Sequence, residues 1–156
     1  MKEPIVIGIA GGTGSGKSTI TRRLMQRFGN DVTAISYDNY YKAQHEIPFE
    51  ERVKVNYDHP DAFDTQRFLK DLRALKSGKV IHCPIYDFSS HDRLEQTKTV
   101  RPAKVILVEG ILIFANQELC DEMDIRCVVK DDLHLLDVGK LGSLEEAERF
   151  IERMKE

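Results

Sequence analysis

The sequence has no run of lysines or arginines, and its 23 basic and 26 acidic residues nearly cancel to a formal charge of -3. That balance leaves no electrostatic footprint for nucleic acid or an anionic membrane, so any polyanion bound should be small. A long apolar run is missing too. The early stretch Ile5 to Ala10 is far too short to span a bilayer and has neither the flanks nor the cleavage site of a signal peptide, which predicts a cytoplasmic protein. Cysteine is scarce: Cys83, Cys120 and Cys127 are odd in number and lack CxxC spacing, so neither a disulfide framework nor a zinc site is indicated, and buried free thiols are expected. With no internal repeat, low-complexity segment or linker, residues 1–156 are expected to form one domain.

What is present reads as an α/β protein. Ile5 to Ala10 is a short β-branched run ending in glycines, the pattern of a strand buried on both faces of a parallel sheet. Ile20, Leu24 and Phe28 recur at helical spacing from Lys17 to Phe28, with Gly29 and Asn30 as the stop. Val32 to Tyr37 reads as a second strand, and the polar and aromatic stretch Asp38 to Pro60 as a substrate-facing segment. Phe63 to Leu75 is amphipathic, and Val80 to Phe88 is extended with Pro84 placing it at an edge or outside the main sheet. Val105 to Val108 and Ile125 to Val129 complete the buried strands. The alternation of strands and helices argues for a mostly parallel sheet.

Between the first strand and the first helix stands Gly11-Gly12-Thr13-Gly14-Ser15-Gly16-Lys17-Ser18, followed by Thr19. This fills every fixed position of the phosphate-binding loop, in the strand-to-helix context that its mechanism requires. The glycines let successive N–H groups turn inward on phosphate oxygens, and the helix N-terminus adds its positive dipole end. Lys17 supplies a point charge to the β- and γ-phosphates, and the Ser18 hydroxyl a ligand to Mg²⁺. Glu109, after four apolar residues, is a second candidate metal ligand, because a carboxylate there is costly to bury unless a cation meets it; a helix cap or salt bridge is the alternative. Asp38, just past the second strand, is placed to act as a general base, but an Asx turn or cap suits it equally, and the residues alone leave both readings open.

The order of motifs goes further. AGGTGSGKST at 10–19, YDNYYK at 37–42, YDHPDAFD at 57–64, PIYDFSSHDR at 84–93 and VILVEGILIF at 105–114 closely resemble the uridine kinase family over residues 5 to about 129. The resemblance implies a three-layer P-loop NTPase fold and transfer of a phosphoryl group from ATP or GTP, with Mg²⁺, to the 5′-hydroxyl of uridine or cytidine. It implies Asp38 as catalytic base, Asp58 as a grip on the ribose hydroxyls with Tyr57 beside it, and Tyr86, Phe88 and His91 as the pyrimidine pocket. Arg93 also matches a family position, whereas Asp92 stands where a small or neutral residue is common. A homo-oligomer is implied as well.

After Val129 the arginine-rich helical lid expected of the family is not recognisable, so the lid region reads as shortened or absent. Only three residues separate Val129 from Leu133, too few for a parallel crossover; Leu133 to Val138 must form an antiparallel hairpin with Ile125 to Val129, or be a loop or helical turn. A helix capped by Ser143 and Glu146 should follow, with Leu144, Ala147, Ile151 and Met154 on one face and Arg149 and Arg153 on a solvated one. Two alternatives follow from this tail: nucleotide binding with little or no turnover, or a related kinase acting on another small hydroxyl substrate.

Overall fold

A computed structural model describes residues 3–11, 17–43, 46–54, 60–131, 134–137, 148–149 and 152–153, and for residues 17–19, 60, 129–131 and 134–137 the backbone alone. The loop residues Gly12 to Gly16, Tyr57, Asp58 and the cap at Ser143 and Glu146 lie outside the described residues.

The unbroken apolar runs form the centre of a five-stranded sheet. Its strands are β1 (Ile5–Ala10), β2 (Val32–Ser36), β5 (Val105–Gly110), β6 (Ile125–Asp131) and β7 (His134–Asp137), in the spatial order β2-β5-β1-β6-β7. The first four run parallel, and β7 returns antiparallel along β6. Because successive side chains point to opposite faces, β1 and β5 divide their apolar residues between two cores. Ile7, Ile9, Val105 and Leu107 pack with Ile20, Leu24 and Phe28 of α1 (Lys17–Phe28). Val6, Ile106 and Val108 share the other core with Phe68, Leu69, Leu72 and Leu75 of α3 (Thr65–Lys76). The result is the expected three layers.

Among the described residues, β3 (Ile81–Asp87) and β4 (Asp92–Val100) pair only with each other, as an antiparallel hairpin outside the main sheet. Pro84 therefore sits where its missing N–H costs the main sheet nothing. β4 itself is not expected from the residues, since its polar sequence is exposed along most of its length. Two short helices also lack a clear signal: α2 (Phe49–Arg52) in the aperiodic segment, and α4 (Gln117–Asp121), capped by the Asn116 side chain accepting from the Leu119 N–H at 3.2 Å.

At the tail, the hairpin is the alternative that the chain adopts, with Val128 opposite Leu136. Residues 148–149 and 152–153 are helical, and Arg149 and Arg153 are exposed, as a solvated face requires. Glu148 and Glu152 meet Arg27 of α1 at 2.9 and 3.8 Å. All three cysteines are buried and free, and burial pushes the Cys83 thiol up. Among the described residues no helix is long and apolar enough to cross a membrane.

Glu122, just past α4, ties that helix to α3 by accepting from Arg73 Nε at 2.9 Å and Lys76 Nζ at 3.0 Å. Burial works to raise its pKa, but the hydrogen bonds from Arg73 and Lys76 outweigh burial and hold the carboxyl below its usual range. A depressed carboxyl stabilises the fold at pH values above its unfolded pKa, and that contribution disappears as the pH falls through the folded pKa. Glu122→Gln is therefore expected to cost about 1 kcal/mol at pH 7 and to narrow towards no difference on the acid side, read as ΔTm between about pH 7 and about pH 3.

Candidate active site

The parallel registers bring three strand ends level. Glu109 lies between Ile9 of β1 and Ser36 of β2, and Gly110 beside Ala10. β1 leads into the half-buried Gly11, and Lys17 opens α1. Sheet edge and helix N-terminus thus face the same place, where carboxyl ends of strands in open α/β sheets meet ligands.

Glu109 is half-buried, and its Oε2 accepts from the hydroxyl of Thr21, on α1, at 3.2 Å. Thr21 is three residues beyond Ser18 and so on the same helical face. Among the described residues, no lysine or arginine forms an ion pair with Glu109. A carboxylate held between strands in this way suits a divalent cation as its neutralising partner.

Asp38 belongs to a 3-10 turn, Tyr37–Asn39, that directly follows β2. Its Oδ1 accepts from the Ile111 N–H at 3.2 Å, which orients the carboxyl over the end of β5. Gly110 makes that approach possible. A Cβ there would stand 2.8 Å from Ile113 Cγ2, 3.0 Å from Tyr37 Cβ and 3.3 Å from Asp38 Oδ1. Gly110→Ala is expected to cost about 1–3 kcal/mol and to displace Asp38, so that kcat falls more than the loss of folded protein explains. Thermal melts alongside kinetics on the folded fraction test it.

Asp38 and Glu109 line one open cavity of about 680 Å³. Its other walls are α1, through Thr21, Arg22 and Met25, and the β3–β4 hairpin, through Pro84, Phe88 and Lys98.

The motif strings, far apart in sequence, are bonded to one another. Asn39 Oδ1 accepts from the Tyr86 N–H at 3.2 Å. The Asp64 N–H donates to the Tyr40 carbonyl at 2.6 Å, and the Lys42 N–H to the Ala62 carbonyl at 2.9 Å. Arg93 donates through Nε to the Tyr41 carbonyl at 2.9 Å and through Nη2 to Asp64 Oδ2 at 3.1 Å. Phe63 is stacked between Tyr37 and Tyr41, both at 4.3 Å. Tyr41 then meets Tyr86 at 5.0 Å, and Tyr86 meets Phe88 at 5.0 Å. The segment 37–42 is the hub, and burial raises the pKa of its Tyr37 and Tyr40 hydroxyls.

The expected base pocket is only partly gathered. Phe88, 58% exposed, lines the cavity, whereas Tyr86, at 4%, lies buried beneath Tyr41 and Phe88. His91 sits at the hairpin turn facing Phe49, and Arg93 is engaged with Tyr41 and Asp64; neither lines the cavity. Lys17, Ser18 and Thr19 stand in the first turn of α1. Sequence reasoning passes over Thr21 and Asn39. The first is detectable from its spacing to Ser18, and the second from its place inside YDNYYK.

A strand, a phosphate-loop sequence and a helix, beside an acidic residue at the end of the next parallel strand, define a P-loop phosphotransferase. The chain belongs to the phosphoribulokinase / uridine kinase family, whose model matches residues 6–141. It is 45% identical over 141 residues to the uridine kinase of Clostridium tetani, covering 90% of this chain and 68% of the relative. It is 40% identical over 157 residues to the uridine kinase of Streptococcus agalactiae, covering 99% of this chain and 75% of the relative. The likeness thus continues past Val129, which corrects the expectation that the resemblance stops there. A solved structure described as a possible uridine kinase from Bacillus stearothermophilus shares the fold, with a TM-score of 0.62 at 21% identity over 82% of this chain and 71% of that one.

Proposed function

We propose that this chain is a Mg²⁺-dependent nucleoside kinase that transfers the γ-phosphoryl group of ATP or GTP to the 5′-hydroxyl of uridine or cytidine. The observation that carries the reading is that Asp38 and Glu109 line one open cavity at the carboxyl ends of β2 and β5, beside α1. The naming of the relatives as uridine kinases supports the acceptor.

Gly11, Gly12, Thr13, Gly14, Ser15, Gly16 and Thr19 would bind the phosphates, with loop N–H groups turned inward on their oxygens, and Lys17 would add its charge at the β- and γ-phosphates. Ser18 and Glu109 would hold Mg²⁺, which when bound neutralises charge on the transferring phosphoryl group. Asp38 orients the 5′-hydroxyl and accepts its proton as the new O–P bond forms and the bond to the β-phosphate oxygen breaks, releasing the nucleoside diphosphate. Tyr57 and Asp58 address the ribose. Phe88 would stack on the base with Tyr86 packed behind it, His91 would have to reach the exocyclic edge from the hairpin turn beyond the cavity wall, and Arg93 holds the 41–64 segment that carries Asp58.

A coupled assay with MgATP and a panel of purine and pyrimidine nucleosides tests this. Pyrimidine-dependent ADP release is expected, and absence of release with every nucleoside, while MgATP still binds, overturns the reading.

A further inference from the structure

Arg52 ends the short helix α2, and among the described residues its guanidinium meets three acceptors. Nε donates to the Ile47 carbonyl at 2.8 Å, Nη1 donates to the Ser90 carbonyl at 3.1 Å, and Nη2 lies 3.8 Å from Asp92 Oδ2. The first bond folds the α2 segment on itself, and the other two reach the turn of the β3–β4 hairpin. Ser90 and Asp92 are the two chain neighbours of His91, so one side chain grips the chain on both sides of that histidine. The pair is largely withdrawn from water, with the Asp92 side chain 6% exposed and that of Arg52 18%. Asp92 Oδ1 also accepts from the Arg93 N–H at 2.8 Å, which stiffens the same corner.

His91 is the one non-glycine residue with positive φ, +52°, among the described residues. Such a conformation persists where its surroundings over-determine it. The Phe49 ring, at the other end of α2, lies 5.9 Å from the His91 ring. Helix α2 therefore meets His91 twice, once through a ring and once through the residues on either side. No residue of α2 is buried, so this helix has no core of its own to place it. The contacts it makes through Phe49 and through Arg52 Nη1 and Nη2 converge on the turn.

The geometry points to Arg52, acting with Asp92, as the positioning residue that sets His91 and through it the discrimination between the uracil and cytosine edges. This rests on the nucleoside kinase reading. Arg52→Gln removes the charge and the fan of guanidinium donors that reaches Ile47, Ser90 and Asp92 together, while keeping much of the side chain's length. It is expected to raise the KM for nucleoside about tenfold and to change the uridine-to-cytidine kcat/KM ratio. The KM for nucleotide should stay within about twofold, and Asp92→Asn should move the nucleoside KM in the same direction by less. In an Arg52→Gln, His91→Ala double variant the two effects should overlap instead of adding, because they act at one point. An unchanged nucleoside KM, an equal rise in nucleotide KM, or full additivity would overturn the assignment. Hydrogen exchange supplies an arm that needs no activity: the amides of residues 89–93 should exchange faster in Arg52→Gln than in the parent, with β1 and β5 unaltered. Unchanged exchange at the turn refutes the positioning role. A parent inactive on every nucleoside refutes the kinase reading instead, and the exchange result then decides the role of Arg52 by itself.

Discussion

Asp38→Asn is expected to lower kcat by about 10²- to 10⁴-fold, the range that a positioned general base contributes. The substitution suits the question because asparagine keeps the shape and its side-chain oxygen can still accept from the Ile111 N–H, so the turn after β2 should hold its form. What it removes is the capacity to take the proton of the attacking hydroxyl. Nucleotide affinity should therefore be retained, and nucleoside KM should change little beside kcat. Single-turnover and steady-state rates with MgATP and uridine measure this. A kcat within about threefold of the parent would remove Asp38 from the chemistry and leave it as an Asx turn.

Lys17→Ala acts on the other substrate. Lys17 is the first residue of α1, and the ends of β1 and β5 and the helix N-terminus all point to the same place beside it. A charge-assisted contact to phosphate is worth about 1.5–3 kcal/mol, so nucleotide affinity should weaken by about ten- to a hundredfold or more. Titration calorimetry with MgATP reads it directly. Since Lys17 opens the helix and alanine is the best helix former, the fold should survive. Equal binding by parent and variant would separate the loop from phosphate recognition.

Much of this fold is legible in the residues themselves. β1 and β5 are apolar on both faces because both faces are covered, and that is visible in unbroken apolar runs rich in β-branched residues. α1 and α3 declare themselves by period and by their stops. β4 does not, because Asp92 to Val100 is exposed along most of its length and has no buried face to leave a pattern. Asp38 and Glu109 are legible as candidates through their place after strands. Their juxtaposition is not, since it depends on β5 inserting between β2 and β1, a strand order that no local signal encodes. The pairs Arg93 with Asp64 and Arg52 with Asp92 lie equally out of reach, since each joins distant segments and nothing in either residue names its partner.

Among the described residues, the β3–β4 hairpin shares no sheet hydrogen bond with the five-stranded sheet, and their registers are independent. Residues can thus be gained or lost in the ribbon without shifting Ile9, Ser36 and Glu109 against one another, whereas one residue slipped within the main sheet would turn every side chain to the wrong face. Selection for a different acceptor can work on the length of the ribbon outside its bonds from Tyr86 and Arg93, while the phosphate-handling edge tolerates almost no change in length.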